Sequence, residues 1–264
     1  MEIAREGFER GCYESRKTRR EKDECQARTL RGKPHVMTKI NAGFAYCIKK
    51  FGPPVGGEPV STDICEAYRN RVPASLLDFW TEYGSGLWLD GKFQLVRPDR
   101  YQGLVNLILQ GDSDFPSNEA VLIGYTAFGQ LLVWNNKNYF LQLDLVRQYA
   151  YTDHTDTTHP VLDADRALPS FLNSLDSNAY DFFEATDAAK PLFARAVKKC
   201  GKLEYGECYG FVPAVGLGGR GVLEAVQRVR ALEHFAILAQ LGPIELRYMD
   251  TKKRKIVVLR ALGG

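Results

Sequence analysis

The segment Gly216-Leu217-Gly218-Gly219-Arg220-Gly221 satisfies the pattern G-x-G-x-x-G. At that spacing glycines let backbone amides approach a pyrophosphate at a helix N-terminus. The segment follows the apolar run Tyr209 to Ala214 and precedes a stretch, Val222 to Leu241, whose apolar spacing predicts a helix ended by Gly242-Pro243. A dinucleotide site also needs a second strand with an acidic residue about 20 positions on. Here that distance falls inside the expected helix, at Ala236 to Leu241, and the motif lies too late in the chain to begin a doubly wound sheet. The loop is better read as a tight strand-to-helix turn, or as a glycine-rich contact loop with Arg220 as its exposed charge.

Asp153-His154-Thr155-Asp156-Thr157-Thr158-His159 offers two imidazoles and two carboxylates to a divalent metal. The spacing makes no helical i, i+4 pair, and Pro160 pushes His159 toward extended backbone. An exposed loop with Asx and Thr turns is the simpler expectation. Gly84-Ser85-Gly86 lacks the spacing of G-x-S-x-G. Cys200 and Cys208 have no neighbouring histidine to activate them. The chain holds 4 histidines, and of these His35 falls in an atypical N-terminal stretch and His234 in the expected helix. General acid–base candidates are therefore scarce, and no catalytic residue, cofactor or metal is expected.

The elements that would position these groups are legible in outline. Phe51 to Gly57 is a loop by its glycine and proline content. Helices are expected over Asp63 to Asn70 and around Leu76, Leu77 and Trp80, with Pro73 at the first turn. Leu87-Trp88-Leu89 and Phe93 to Val96 read as a hairpin, and Pro98-Asp99 introduces a short helix. Val121 to Tyr125, Gln130 to Trp134 and Tyr139 to Leu143 read as an antiparallel meander. Further helices are expected near 167–175, 178–186 and Leu192 to Lys199, with Ile244 to Tyr248 and Ile256 to Leu259 closing the fold. Trp80, Tyr83, Trp88, Phe93 and Trp134 are expected in the core. The fold class that follows is α+β: an antiparallel meander sheet with flanking helices, in two lobes packed together.

The 264 residues suffice for one large domain or two small ones, and the 45% hydrophobic and 25% charged content is that of a globular protein. No apolar run approaches the roughly 18 residues that span a bilayer. The first 25 residues hold no apolar stretch of a secretory signal, so a cytoplasmic location is expected. None of the 6 cysteines forms a C-x-x-C pair, which argues against a zinc ribbon and for reduced thiols. Residues 1–36 are of mixed charge with little to bury and read as an extension, non-native or disordered.

Charge is placed unevenly. Residues 141–187 hold only Arg147 and Arg166 against Asp144, Asp153, Asp156, Asp163, Asp165, Asp176, Asp181, Glu184 and Asp187. Such a block repels nucleic acid and suits a basic protein partner, whose encounter it would steer. A solvated acidic face without a partner fits the same charges.

Phe51-Gly52-Pro53-Pro54, Val72 to Gly84, Asp90-Gly91-Lys92-Phe93, Pro98-Asp99-Arg100-Tyr101 and Gly124 to Leu131 together resemble a GAD-like domain. Tyr205 to Gly219, continuing through His234 to Leu241, resembles the C-terminal domain of type VI secretion immunity proteins. The resemblance implies an α+β fold, no catalysis, and inhibition of a DNase effector by direct binding. Residues 37–150 would form the GAD-like domain and 151–264 the C-terminal immunity domain. The expected partner is then a cognate DNase toxin, blocked at its active site or substrate groove, with no nucleic acid, membrane or small molecule bound. Contact residues expected from the acidic block and the glycine loop are Asp144, Asp153, Asp156, Asp163, Asp165, Gly218, Gly219 and Arg220. A nucleotide-binding enzyme using Gly216 to Gly221 and a general protein-interaction module are the alternatives.

Overall fold

Helix signals at the start of the globular region work as local chemistry dictates. In the computed structural model, helix α1 (Ala42–Phe51) is capped by Asn41, whose side chain accepts a hydrogen bond from Gly43 N, and ends at Gly52 with φ +77°. Ser61 caps α2 (Thr62–Tyr68) in the same way, through Ile64 N. Helix α3 (Ala74–Tyr83) starts directly after Pro73 and ends at Gly84 with φ +68°. The structure describes residues 40–152, 163–175, 180–184, 190–250 and 253–263.

The hairpin follows as strands β1 (Gly86–Trp88) and β2 (Phe93–Leu95), joined by a short 3₁₀ turn. Then come α4 (Pro98–Ile108) and the meander: β3 (Val121–Thr126), β4 (Gln130–Asn135), β5 (Tyr139–Asp144) and β6 (Tyr149–Thr152). Helix α5 (Ala164–Ser174) and helix α6 (Phe193–Cys200) lead to strand β7 (Glu207–Phe211) and strand β8 (Val226–Arg230). Helix α7 (Ala231–Leu238) and strands β9 (Glu245–Asp250) and β10 (Lys255–Ala261) complete the described chain. The strands make an eight-stranded sheet in the order β1-β2-β3-β4-β5-β6-β9-β10 and a separate β7-β8 pair. All pairings are antiparallel except β6 with β9. The fold is α+β, as its patterning implies.

Each face of the sheet carries its own core. Phe93, Leu95, Leu132 and Trp134 pack with Phe44, Leu76, Phe79, Trp80 and Leu168 from α1, α3 and α5. Leu131, Val133, Leu141, Leu143, Ala150 and Leu246 pack on the other face with side chains of α4, α6, α7 and the β7-β8 pair, among them Leu104, Phe193, Phe235 and Phe211. A buried polar link ties early and late parts of the chain. Gln94, fully buried, donates through Nε2 to Glu207 O at 2.7 Å, and its Oε1 accepts from Tyr125 Oη at 2.9 Å and Gly206 N at 3.0 Å.

Two sequence expectations fail. The single helix over Val222 to Leu241 is instead strand β8 followed by the short α7. Val226 and Val229, three apart, share a helix face but fall on opposite faces of a strand, so spacing favours the helix; backbone pairing with β7 from Phe211↔Val226 to Glu207↔Arg230 overrides it. The helix expected over 178–186 is absent where it is described. Phe183 bridges Pro191, Glu184 N donates to Lys190 O, and Leu192 N donates to Phe182 O. The remainder of that stretch lies outside the described residues.

Candidate protein-binding surface

The glycine loop joins two antiparallel strands, so it does not open a helix. Ala214 O accepts bonds from Leu217 N at 2.9 Å and Gly219 N at 3.0 Å, and Gly218 turns the chain at φ +83°. A Cβ at Gly219 would lie 1.9 Å from Pro213 O, and one at Gly221 would lie 3.0 Å from the Phe182 ring. The glycines thus serve a tight hairpin connection. No helix N-terminus aims amides at a phosphate, which removes the physical basis for the nucleotide reading. The loop presents Leu217, 64% exposed, with Val212 and Arg220 also exposed.

The described members of the acidic block do not form one exposed face. Asp144 is 3% exposed and is engaged by Arg147, whose backbone N lies 2.9 Å and Nη1 2.8 Å from its carboxylate. The expectation that Asp144 belongs to a free acidic surface is corrected accordingly: its carboxylate is taken up by the Arg147 backbone and guanidinium. Asp181 caps α6, accepting from Leu192 N at 3.0 Å and Phe193 N at 2.8 Å, and pairs with Lys92 at 3.3 Å. Glu184 holds Arg195 Nη1 at 2.7 Å and Leu223 N at 2.9 Å; the Arg195 guanidinium keeps its carboxyl below the usual range. Asp165 accepts from Ser75 N at 2.6 Å, tying α5 to the start of α3. Asp163 caps α5 and is exposed. Asp153, Asp156, Asp176 and Asp187 lie outside the described residues, as do His154 and His159.

Among the described residues, no group of three or more His, Cys, Asp or Glu side chains is placed to hold a metal. Cys47 and Cys208 are buried, and burial pushes the Cys47 thiol up to about 12 and that of Cys208 higher still, so neither is a ready nucleophile. Partial burial lowers the His234 pKa below the ordinary imidazole value. No described helix is long and apolar enough to cross a membrane.

A feature missed in the sequence is a cleft of about 280 Å³ where the helix-covered part of the sheet gives way to an end that no described helix covers. Cross-strand partners share a face, and two such rows floor it: Gln130, Asp144 and Tyr149, and beside them Leu132, Gln142 and Tyr151. Phe171 of α5 and Tyr180 stand at its wall. The alternation Gln142-x-Asp144 and Tyr149-x-Tyr151 was the available signal, since it places polar and aromatic groups together on one side of adjacent strands. Beyond Tyr151 the same face continues through Arg247 to Met249, Ile256 and Val258, the last three between 48% and 53% exposed.

Comparison with known proteins places these observations. Residues 42–146 match the GAD-like domain, and residues 165–242 match the C-terminal domain of T6SS immunity protein Tdi1. The crystal structure of Atu4351 from Agrobacterium tumefaciens shares the fold with a TM-score of 0.78 at 28% identity, over 84% of this chain and 98% of that one. No curated protein matches the chain. The chain thus carries a region similar to a GAD-like domain followed by one similar to the C-terminal domain of a type VI secretion immunity protein.

Proposed function

We propose that this protein binds a cognate DNase effector in the cytoplasm and silences it by covering its active site or substrate groove, without catalysing a reaction itself. The match of residues 165–242 to an immunity domain carries the reading. The DNase assignment rests on the family resemblance and on the acidic character of residues 141–187. Asp153, Asp156, Asp163 and Asp165 would meet the effector's basic groove, and the exposed turn Gly218-Gly219-Arg220 would add a second contact. A docked acidic surface speeds encounter with a cationic partner and makes association salt-sensitive.

The test is co-expression with the toxin encoded beside its gene, followed by plasmid-degradation assays on the purified pair. Cells survive only when the immunity protein is present, and nuclease activity falls linearly to a stoichiometric end point as it is added. Reversal of the four aspartates to lysine weakens binding and flattens its salt dependence. Unchanged affinity in that variant removes the acidic contact; absence of protection removes the function. Equilibrium dialysis against NAD and ATP should show no retention of either.

A further inference from the structure

The cleft above β4, β5 and β6 has a chemistry suited to one kind of guest. Its lining is aromatic and amide-bearing, and Asp144 is the only formally charged side chain among the lining residues. The π faces of Tyr151, Phe171 and Tyr180 carry negative quadrupole density that attracts a cation. Gln142 sits between Leu132 and Tyr151 on the floor, where its amide faces the open volume. The surrounding charges are already paired: Arg147 with Asp144, and Arg247 with Glu245. The protein itself shows the preference, because the Arg247 guanidinium lies 4.6 Å from the Tyr149 ring centroid at the cleft's margin. A guanidinium stacks on such rings while its edge donates to amide and carboxylate oxygens, which an ammonium does less well.

We propose that this cleft receives a cationic side chain, an arginine, projected by the effector, so that the uncovered sheet face is an effector-docking surface anchored there. The inference rests on the immunity reading and adds to it the site and the chemistry of one anchoring contact. A buried central anchor ringed by apolar contact is the arrangement that concentrates binding energy at protein interfaces; Met249, Ile256 and Val258 supply the apolar surround.

Two measurements test it. In the first, N-acetyl-arginine amide and its neutral isostere N-acetyl-citrulline amide are titrated into the full chain while the side-chain amide NMR signals of Gln130 and Gln142 are followed. Saturable shifts with the arginine compound alone support the cation site. Absence of shifts, or equal shifts with citrulline, overturns it. In the second, affinity for the effector's toxin domain is measured for Tyr151→Leu and Tyr180→Leu, with Tyr151→Phe as the ring-preserving control and thermal melting as the check on folding. The leucine variants are expected to bind at least tenfold more weakly and the phenylalanine variant normally. A double-mutant cycle should couple Tyr151 to one effector arginine. Native-like affinity in both folded leucine variants overturns the docking surface while leaving the immunity role standing. A wild-type chain that binds no effector overturns the immunity role and the docking, and the arginine titration alone then decides whether the cleft prefers cations.

Discussion

At the scale of single residues, identity matters most where the backbone closes on itself. Gly219 has an ordinary backbone conformation, so its need is purely spatial: a Cβ would fall 1.9 Å from a carbonyl oxygen that cannot swing away. Gly219→Ala should therefore cost about 1–3 kcal/mol as an overpacked site, read as a lower urea midpoint with unchanged slope. His234 makes a different prediction. Burial lowers its pKa, so the folded protein prefers the neutral ring while the unfolded chain titrates near about 6.5. As pH falls through that value the unfolded state takes up the proton first, and stability declines until the lower folded pKa is passed. Urea midpoints at pH 8 and pH 5.5 should differ, and His234→Gln should shrink the difference. The sequence marked Gly216 to Gly221 as special but assigned it the wrong partner element, because a glycine pattern specifies close backbone approach and says nothing of what approaches.

Elements were legible where local chemistry decides them. The helix begun after Pro73 and the three apolar runs of the meander over 121–144 form where proline and strand-rich stretches predict them, the strands β3 and β4 buried on both faces. Val222 to Leu241 misled because Val226 and Val229 carry helical spacing, and only pairing with β7, some 20 positions earlier, overrides it. The acidic block misled for a related reason. A run of carboxylates looks like a surface when read as charge, whereas Asp181 and Glu184 are consumed in capping a helix and bracing a loop. Their use is testable. Asp181→Ala removes the α6 cap and the pair with Lys92 and should cost about 1 kcal/mol or more. Asp181→Asn retains an acceptor for Leu192 N and Phe193 N and should cost less. A loss in the asparagine variant equal to that in the alanine variant would mean that the ion pair, and not the cap, is the greater part.

At the scale of the whole molecule, strands from the middle and from the end of the described chain join one sheet. Strand β9 enters beside β6 in parallel, Tyr149 opposite Glu245 and Tyr151 opposite Arg247. Joining positions almost 100 residues apart leaves no trace in periodicity or spacing, so this seam was invisible in the sequence. Its consequence is energetic. The core on the α7 face mixes Tyr125, Phe128 and Leu143 with Tyr209, Phe211 and Phe235, and Gln94 finds its partners on Gly206 and Glu207. A fragment ending at residue 150 would expose that apolar face, strand an amide in a site built to bury it, and, by cutting β6 in half, leave β5 as an open edge prone to pairing between chains. The full chain should accordingly unfold in a single calorimetric transition, with coincident far-UV and near-UV circular dichroism. The fragment 40–150 should aggregate or lack dispersed amide NMR signals. Two separated transitions, or a soluble fragment with a native-like spectrum, would show that the sheet's first five strands hold without the rest. The same coupling bears on inhibition, because the cleft floor is built by β4, β5 and β6 and the docking face beyond it by β9 and β10. A substitution that loosens β6 from β9 should then weaken effector binding even where no contacting side chain is altered.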